Sequence, residues 1–249
     1  RGVIVINTGS SLEHGEALLA AVARLTDRAV VLAIDTQASP DQVLGNAAFA
    51  ARGIPVLAQR ETARSMASRC EECMRSVARA AGADLLAGTR PSQPSRLIDG
   101  STTIEAGGRT LELLYFGATE QPGALAVFDR ASGVLFTGDI ASFDVVPEAQ
   151  YGEVAPWIEA LARLQSLPAK VVVPGHGPPG PKDRLAQVAA YLTQLLDGTR
   201  AAYRRGAGLL EVVDQVELPA YAGWALYGDH HRRNVHFVYL QVELQEFDR

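Results

Sequence analysis

The chain has 249 residues, 47% of them hydrophobic, and a formal net charge of −5 at pH 7. That length allows one large domain or two small ones, and the composition fits an ordinary globular core. No block of basic residues offers a footprint for nucleic acid, and no apolar run approaches the roughly 18 residues that span a bilayer.

The chain opens at Arg1 on "GVIVINTG" without Met, which reads as a processed or trimmed start and leaves the compartment open. "VIVIN" and "AVVLAI" read as buried strands, being short, β-branched and bounded by turn residues. Between them Leu18, Ala21, Val22 and Leu25 recur at helical spacing. His14, between Glu13 and Glu16 on that helix, reads as a surface residue. "IPVLA" is a third strand, and "RETARSMASRCEECMRSVARAAG" a helix after it. The only cysteines, Cys70 and Cys73, lie on that helix. A CxxC serves a redox pair or half a zinc site, but no second CxxC completes four ligands. Two cysteines sharing one helix face is the plainer reading.

The middle of the chain is strand-rich: "STTIEAGGRTLELLYFG", "GALAVFD" and "GVLFTGD", with Gly107-Gly108 and "DRASG" as hairpin turns. A helix from about Val154 to Leu164 leads into the strand "KVVVPG". Helices are then expected from Lys182 to about Arg205 and through "GLLEVVDQV". The terminal "NVHFVYLQVELQEF" fits strand or helix by periodicity alone. His230 and His231 in "DHHRRN" face different ways on any helix, which favours a solvated or interface role over a ligand cluster. No repeat or linker divides the chain, so one domain over 1–249 is expected, with a helical extension over about 200–249. Strand pairs flanked by helices point to a two-sheet α/β sandwich.

Five loops follow buried strands and mix glycine with ionisable residues: "NTGSS" (7–11), "DTQASPDQ" (35–42), "GATEQPG" (117–123), "TGDIAS" (137–142) and "PGHGPPG" (174–180). In this order they resemble the active-site loops of the metallo-β-lactamase superfamily. "VINTGSSLEHGEALLAAV", "DQVLGNAAFA", "VVPGHGP" and "WALYGDHHRRNV" are most similar to its quinoprotein relay system zinc metallohydrolases. The resemblance implies a four-layer αβ/βα sandwich, a periplasmic setting and a partner in a dehydrogenase and cytochrome redox system. It also implies a pattern HxHxDH, a distal His, the Asp of "GD" and the His of "PGHG", holding two divalent ions and a bridging hydroxide.

The sequence departs from that pattern at its centre. Gln37, Ser39 and Gln42 stand at the imidazole positions of HxHxDH, with only Asp41 kept, and Glu120 stands at the distal one. Asp139 and His176 match the family. A neutral amide or hydroxyl is a poor zinc ligand beside imidazole, so dinuclear zinc is not expected. Ser39, Pro40 and Gln42 instead spell a capping box at the start of a helix "PDQVLGNAAFAA". Asp41 would complement that helix's dipole.

Two readings follow. In the first, the protein has lost zinc hydrolysis and binds a small polar ligand or a partner in a cleft lined by Gln37, Ser39, Gln42 and Glu120. In the second, it is a hydrolase with one divalent ion, zinc, manganese or magnesium, on Asp41, Asp139 and His176. No GxSxG nucleophile motif and no phosphate-cradling glycine loop offers a further route.

Overall fold

The computed structural model describes residues 1–247, which form two compact units. The first comprises Arg1–Tyr115 with Pro122–Ser132, the second Phe116–Gln121 with the chain from Gly133 on.

In the first unit, β1 (Val3–Ile6), β2 (Val30–Ile34), β3 (Val56–Gln59) and β4 (Arg96–Ile98) pair in that order, all parallel. Leu32, Ala33 and Ile34 are wholly buried, as expected of a central parallel strand with a continuous apolar run. Helices α1 (Leu12–Leu25), α2 (Pro40–Val43), α3 (Asn46–Ala50) and α4 (Arg60–Ala81) connect these strands. Leu19 of α1 packs with Ala33, Ala48, Phe49 and Val56 in one core cluster, which Leu12 and Val5 border. Leu25 is exposed, because α1 ends there and Thr26 turns into extended backbone. Cys70 is buried and Cys73 half-buried on α4, both as free thiols. Burial pushes the Cys70 thiol up to about 11 and raises Cys73 as well, which suits inert packing residues.

The same unit holds an antiparallel ladder of β5 (Thr102–Ala106), β6 (Arg109–Tyr115) and β7 (Leu125–Asp129). Ala106 pairs with Arg109 across Gly107 and Gly108, whose φ values of 58° and 77° are those of a tight hairpin turn.

In the second unit, β8 (Val134–Ser142) and β9 (Val171–His176) are parallel and joined through α5 (Val154–Ser166). Val154, Trp157, Leu161 and Leu164 form the buried stripe of α5, and the Trp157 indole N–H donates to the Ile140 carbonyl at 2.8 Å. Helix α6 (Arg184–Arg204) buries Leu185, Val188, Leu192 and Leu195 at the same spacing. The ambiguous terminal segment is helical, α7 (Arg232–Phe247). The segment "GLLEVVDQV" does not form a helix of length: only a single turn, Val212–Asp214, is wound there. Among the described residues no helix is long and apolar enough to cross a membrane. The expected class, α/β with two sheets and a helical C-terminal region, is the class observed.

His231 corrects the expectation of a solvated histidine run. It is buried at the end of a π-helical turn (Tyr227–His231) and stacks on Tyr227 at 4.7 Å between ring centroids. Its Nε2 is 2.9 Å from the Val216 carbonyl and its Nδ1 3.1 Å from the Tyr191 hydroxyl. A carbonyl only accepts, so Nε2 carries the proton and Nδ1 takes the Tyr191 hydrogen. Asn234 extends the network, donating to the Pro147 carbonyl at 2.7 Å and accepting from the Ala149 N–H at 2.9 Å. Burial holds the His231 pKa below its ordinary 6.5, against the opposing pull of the Val216 carbonyl. The unfolded chain therefore binds a proton that the folded chain refuses, and stability falls as pH drops below 6.5. His231→Phe, which keeps the stacking but orphans Val216 and Tyr191, should lose about 1–3 kcal/mol at pH 7.5. In urea unfolding from pH 7.5 to 5 that loss should shrink, because the variant has no imidazole to charge.

Candidate functional site

The first set of site residues follows β2 in the first unit. Asp35, Thr36 and Gln37 have no exposed surface, so every polar atom among them needs an internal partner. The Asp35 N–H bonds the Leu57 carbonyl at 2.9 Å and the Thr36 carbonyl accepts from the Leu125 N–H at 2.7 Å. Asn7, held at φ 63°, turns its side-chain carbonyl to the Thr36 N–H at 2.8 Å. The Thr36 hydroxyl donates to Gln42 Oε1 at 2.8 Å, and Gln37 Nε2 donates to Ser39 Oγ at 3.1 Å.

The capping box is not formed. Ser39 has the extended backbone of an N-cap and Pro40 takes the first helical position, but the Ser39 side chain makes no cap bond. Its hydroxyl accepts from Gln37 instead. Nor is the helix continuous. It winds one turn as α2 and restarts at Asn46: the Gly45 N–H donates to the Gly9 carbonyl at 3.0 Å, and Gly45 lies against the Thr8 carbonyl where a Cβ would collide. Asp41 is exposed at the second position of α2.

That break carries Asn46 inward, where it becomes the hub of the loop. Its Nδ2 donates to Asp35 Oδ2 at 2.7 Å and to the Ser92 carbonyl at 3.2 Å, and its Oδ1 accepts from the Thr8 hydroxyl at 2.6 Å. The Thr8 N–H reaches the Gln42 carbonyl at 2.7 Å. Asp35, Asn46 and Thr8 are absent from the residues expected by analogy. An Asp directly after an apolar strand and an Asn within "GNAAF" were the available signals.

Burial pushes the Asp35 carboxyl up to about 8, with the Asn46 bond pulling the other way, and its Oδ1 has no partner. The Asp35 carboxyl therefore holds its proton to a higher pH than an exposed carboxyl does.

The second set lies in the second unit. Thr119, Glu120 and Gln121 are buried on the loop before Pro122, and the Thr119 carbonyl accepts from the Glu153 N–H at 2.8 Å. Gly152 fits over that carbonyl only because it lacks a Cβ. Asp139, within β8, has its carboxylate over Gly175, another position where a Cβ would collide. His176 ends β9, with Nε2 3.4 Å from Asp139 Oδ1 and its side chain about half exposed. Burial and then the nearby Asp139 charge raise the Glu120 carboxyl well above its ordinary range, with the Gln121 N–H pulling the other way. The structure thus brings Asp139 beside His176 and Glu120 near Asp139. Among the described residues no three His, Cys, Asp or Glu side chains form a group that could hold a metal ion.

A raised carboxyl pKa has a definite consequence for stability. Asp35 binds its proton more tightly folded than unfolded, so its contribution is complete below pH 3.8 and is lost as pH rises through about 8. Asp35→Asn should remove that slope, up to about 1.4 kcal/mol per pH unit, and should gain on the parent as pH rises. Paired denaturant titrations between pH 5 and 9 check it. Parallel curves would place a charged Asp35 in the folded state.

The family model described as the metallo-beta-lactamase superfamily matches residues 1–176. A metallo-beta-lactamase from Pontibacter korlensis is 24% identical, with a TM-score of 0.62 over 77% of this chain and 82% of that one. The DIM-1 metallo-beta-lactamase, in a structure exposed to ceftazidime, is 17% identical with a TM-score of 0.63 over 77% and 80%. The TMB-1 structure is 20% identical with a TM-score of 0.60 over the same shares. The order of strands, loops and C-terminal helices has its match in these folds, and the chain belongs to the metallo-β-lactamase superfamily.

Proposed function

We propose that this protein is a metallo-β-lactamase-fold binder, without dinuclear zinc hydrolysis, that takes a small polar ligand or a partner. The observation that carries the reading is the internal use of the loop's amides. Gln42 gives its Oε1 to Thr36 and Gln37 its Nε2 to Ser39, at positions where the family pattern calls for imidazole.

Two zinc ions do not fit these residues. Zinc takes imidazole nitrogen, thiolate or carboxylate as ligands. Gln37, Ser39 and Gln42 supply only neutral amides and a hydroxyl, and Glu120 supplies a buried carboxyl that resists ionisation. The contact of Asp139 with His176 favours the alternative, a one-ion hydrolase. The lack of any three-ligand group among the described residues weighs against it. The motifs shared with quinoprotein relay metallohydrolases support a periplasmic protein with a redox-system partner.

Metal analysis decides between binder and hydrolase. Protein purified without added metal, and again after a soak in excess zinc and desalting, should hold well under one ion per chain. Calorimetric titration with zinc should show no stoichiometric site. One or two ions per chain would overturn the reading.

A further inference from the structure

Three of the five buried side-chain polar atoms without a hydrogen-bond partner among the described residues belong to two consecutive positions. They are Thr119 Oγ1 and both carboxyl oxygens of Glu120. A buried polar atom left unpaired costs about 1–3 kcal/mol, so a cluster of three calls for a partner that the chain does not supply. Its chemistry can be read from what surrounds it. Glu120 is close enough to Asp139 to feel its charge, and His176 Nε2 lies 3.4 Å from Asp139 Oδ1. Exposure rises along this line, from buried Glu120 through the one-fifth exposed side chain of Asp139 to half-exposed His176. An anion would be repelled by the Asp139 charge. Among the described residues a metal ion finds no third ligand. The missing group is one that brings positive charge and N–H donors together.

We propose that Thr119, Glu120 and Asp139 bind a small organic cation bearing N–H donors, of which a primary ammonium is the simplest. This rests on the reading of the chain as a metal-free binder. An ammonium has three donors and no acceptor, and the Glu120 oxygens with the Thr119 hydroxyl are acceptors in need of donors. The bond to the Asp139 carboxylate is charge-assisted and stronger than a neutral one. A side chain at Gly152 would collide with the Thr119 and Glu120 backbone, and one at Gly175 with the Asp139 carboxylate.

The test titrates metal-free protein with methylammonium chloride and with tetramethylammonium chloride at equal ionic strength. The second ion has the same charge but no N–H. Methylammonium should raise the melting temperature saturably and bind at least about tenfold more tightly, the return expected of one charge-assisted hydrogen bond. Glu120→Gln, which places an amide donor against the cation, should abolish the preference. Should that variant fail to fold, Asp139→Asn should weaken methylammonium binding at the outer carboxyl. Equal responses to the two ions, or none, overturn the proposal, and buried water would then satisfy Glu120. Stoichiometric zinc uptake would overturn the metal-free reading whatever the amines do, so the two failures are distinguishable.

Discussion

The bond from Asn46 to the buried Asp35 carboxyl is the constraint around which the first set of site residues is arranged. An ionised carboxylate in that position would lack a counter-charge, so burial drives Asp35 to keep its proton. Asn46 reaches it from the turn at Leu44–Gly45, where a glycine lies against the Thr8 carbonyl and a Cβ would collide. Thr8 in turn binds both Asn46 and the backbone of Gln42. Remove any member and the others lose partners in a dry interior, where an unpaired polar group is expensive. The loop is built on hydrogen bonds.

The second unit solves its problem differently. Thr119 and Glu120 are just as buried, yet their side chains are left without partners, while the backbone beside them is secured through Glu153 and a glycine at 152. One loop spends its polar groups on itself and the other withholds them. That contrast is why the proposed cation site draws on Glu120 and Asp139 rather than on Gln37 and Gln42.

Much of this was legible in the sequence, and the exceptions share a cause. The strands at 3–6, 30–34 and 56–59 announce themselves by β-branched runs between turn residues. The Gly107-Gly108 hairpin follows from residues that tolerate positive φ. The loop order was enough to recognise the superfamily. Ser39, Pro40 and Gln42 looked like a cap because a local motif was judged locally. In the fold, Gln37 competes for the Ser39 hydroxyl and Thr36 for the Gln42 amide. Asn46 bonds Ser92, 46 residues away, and His231 bonds Tyr191, 40 away. No periodicity signals partners at that separation. Residues 208–216 are apolar enough for a helix, but only Val212–Asp214 is wound, and His231 and Tyr239 donate to the carbonyls of Val216 and of Ala207 just before it.

Amide hydrogen exchange with and without a chelator tests most directly whether hydrogen bonds, and not a metal, hold the loop. The N–H groups of Thr36, Gln42 and Val43 all have partners within the first unit. Their protection should be the same, within error, before and after treatment with a strong chelator such as EDTA. A selective loss of protection at these three amides on chelation, reversed by adding back a divalent ion, would contradict the account.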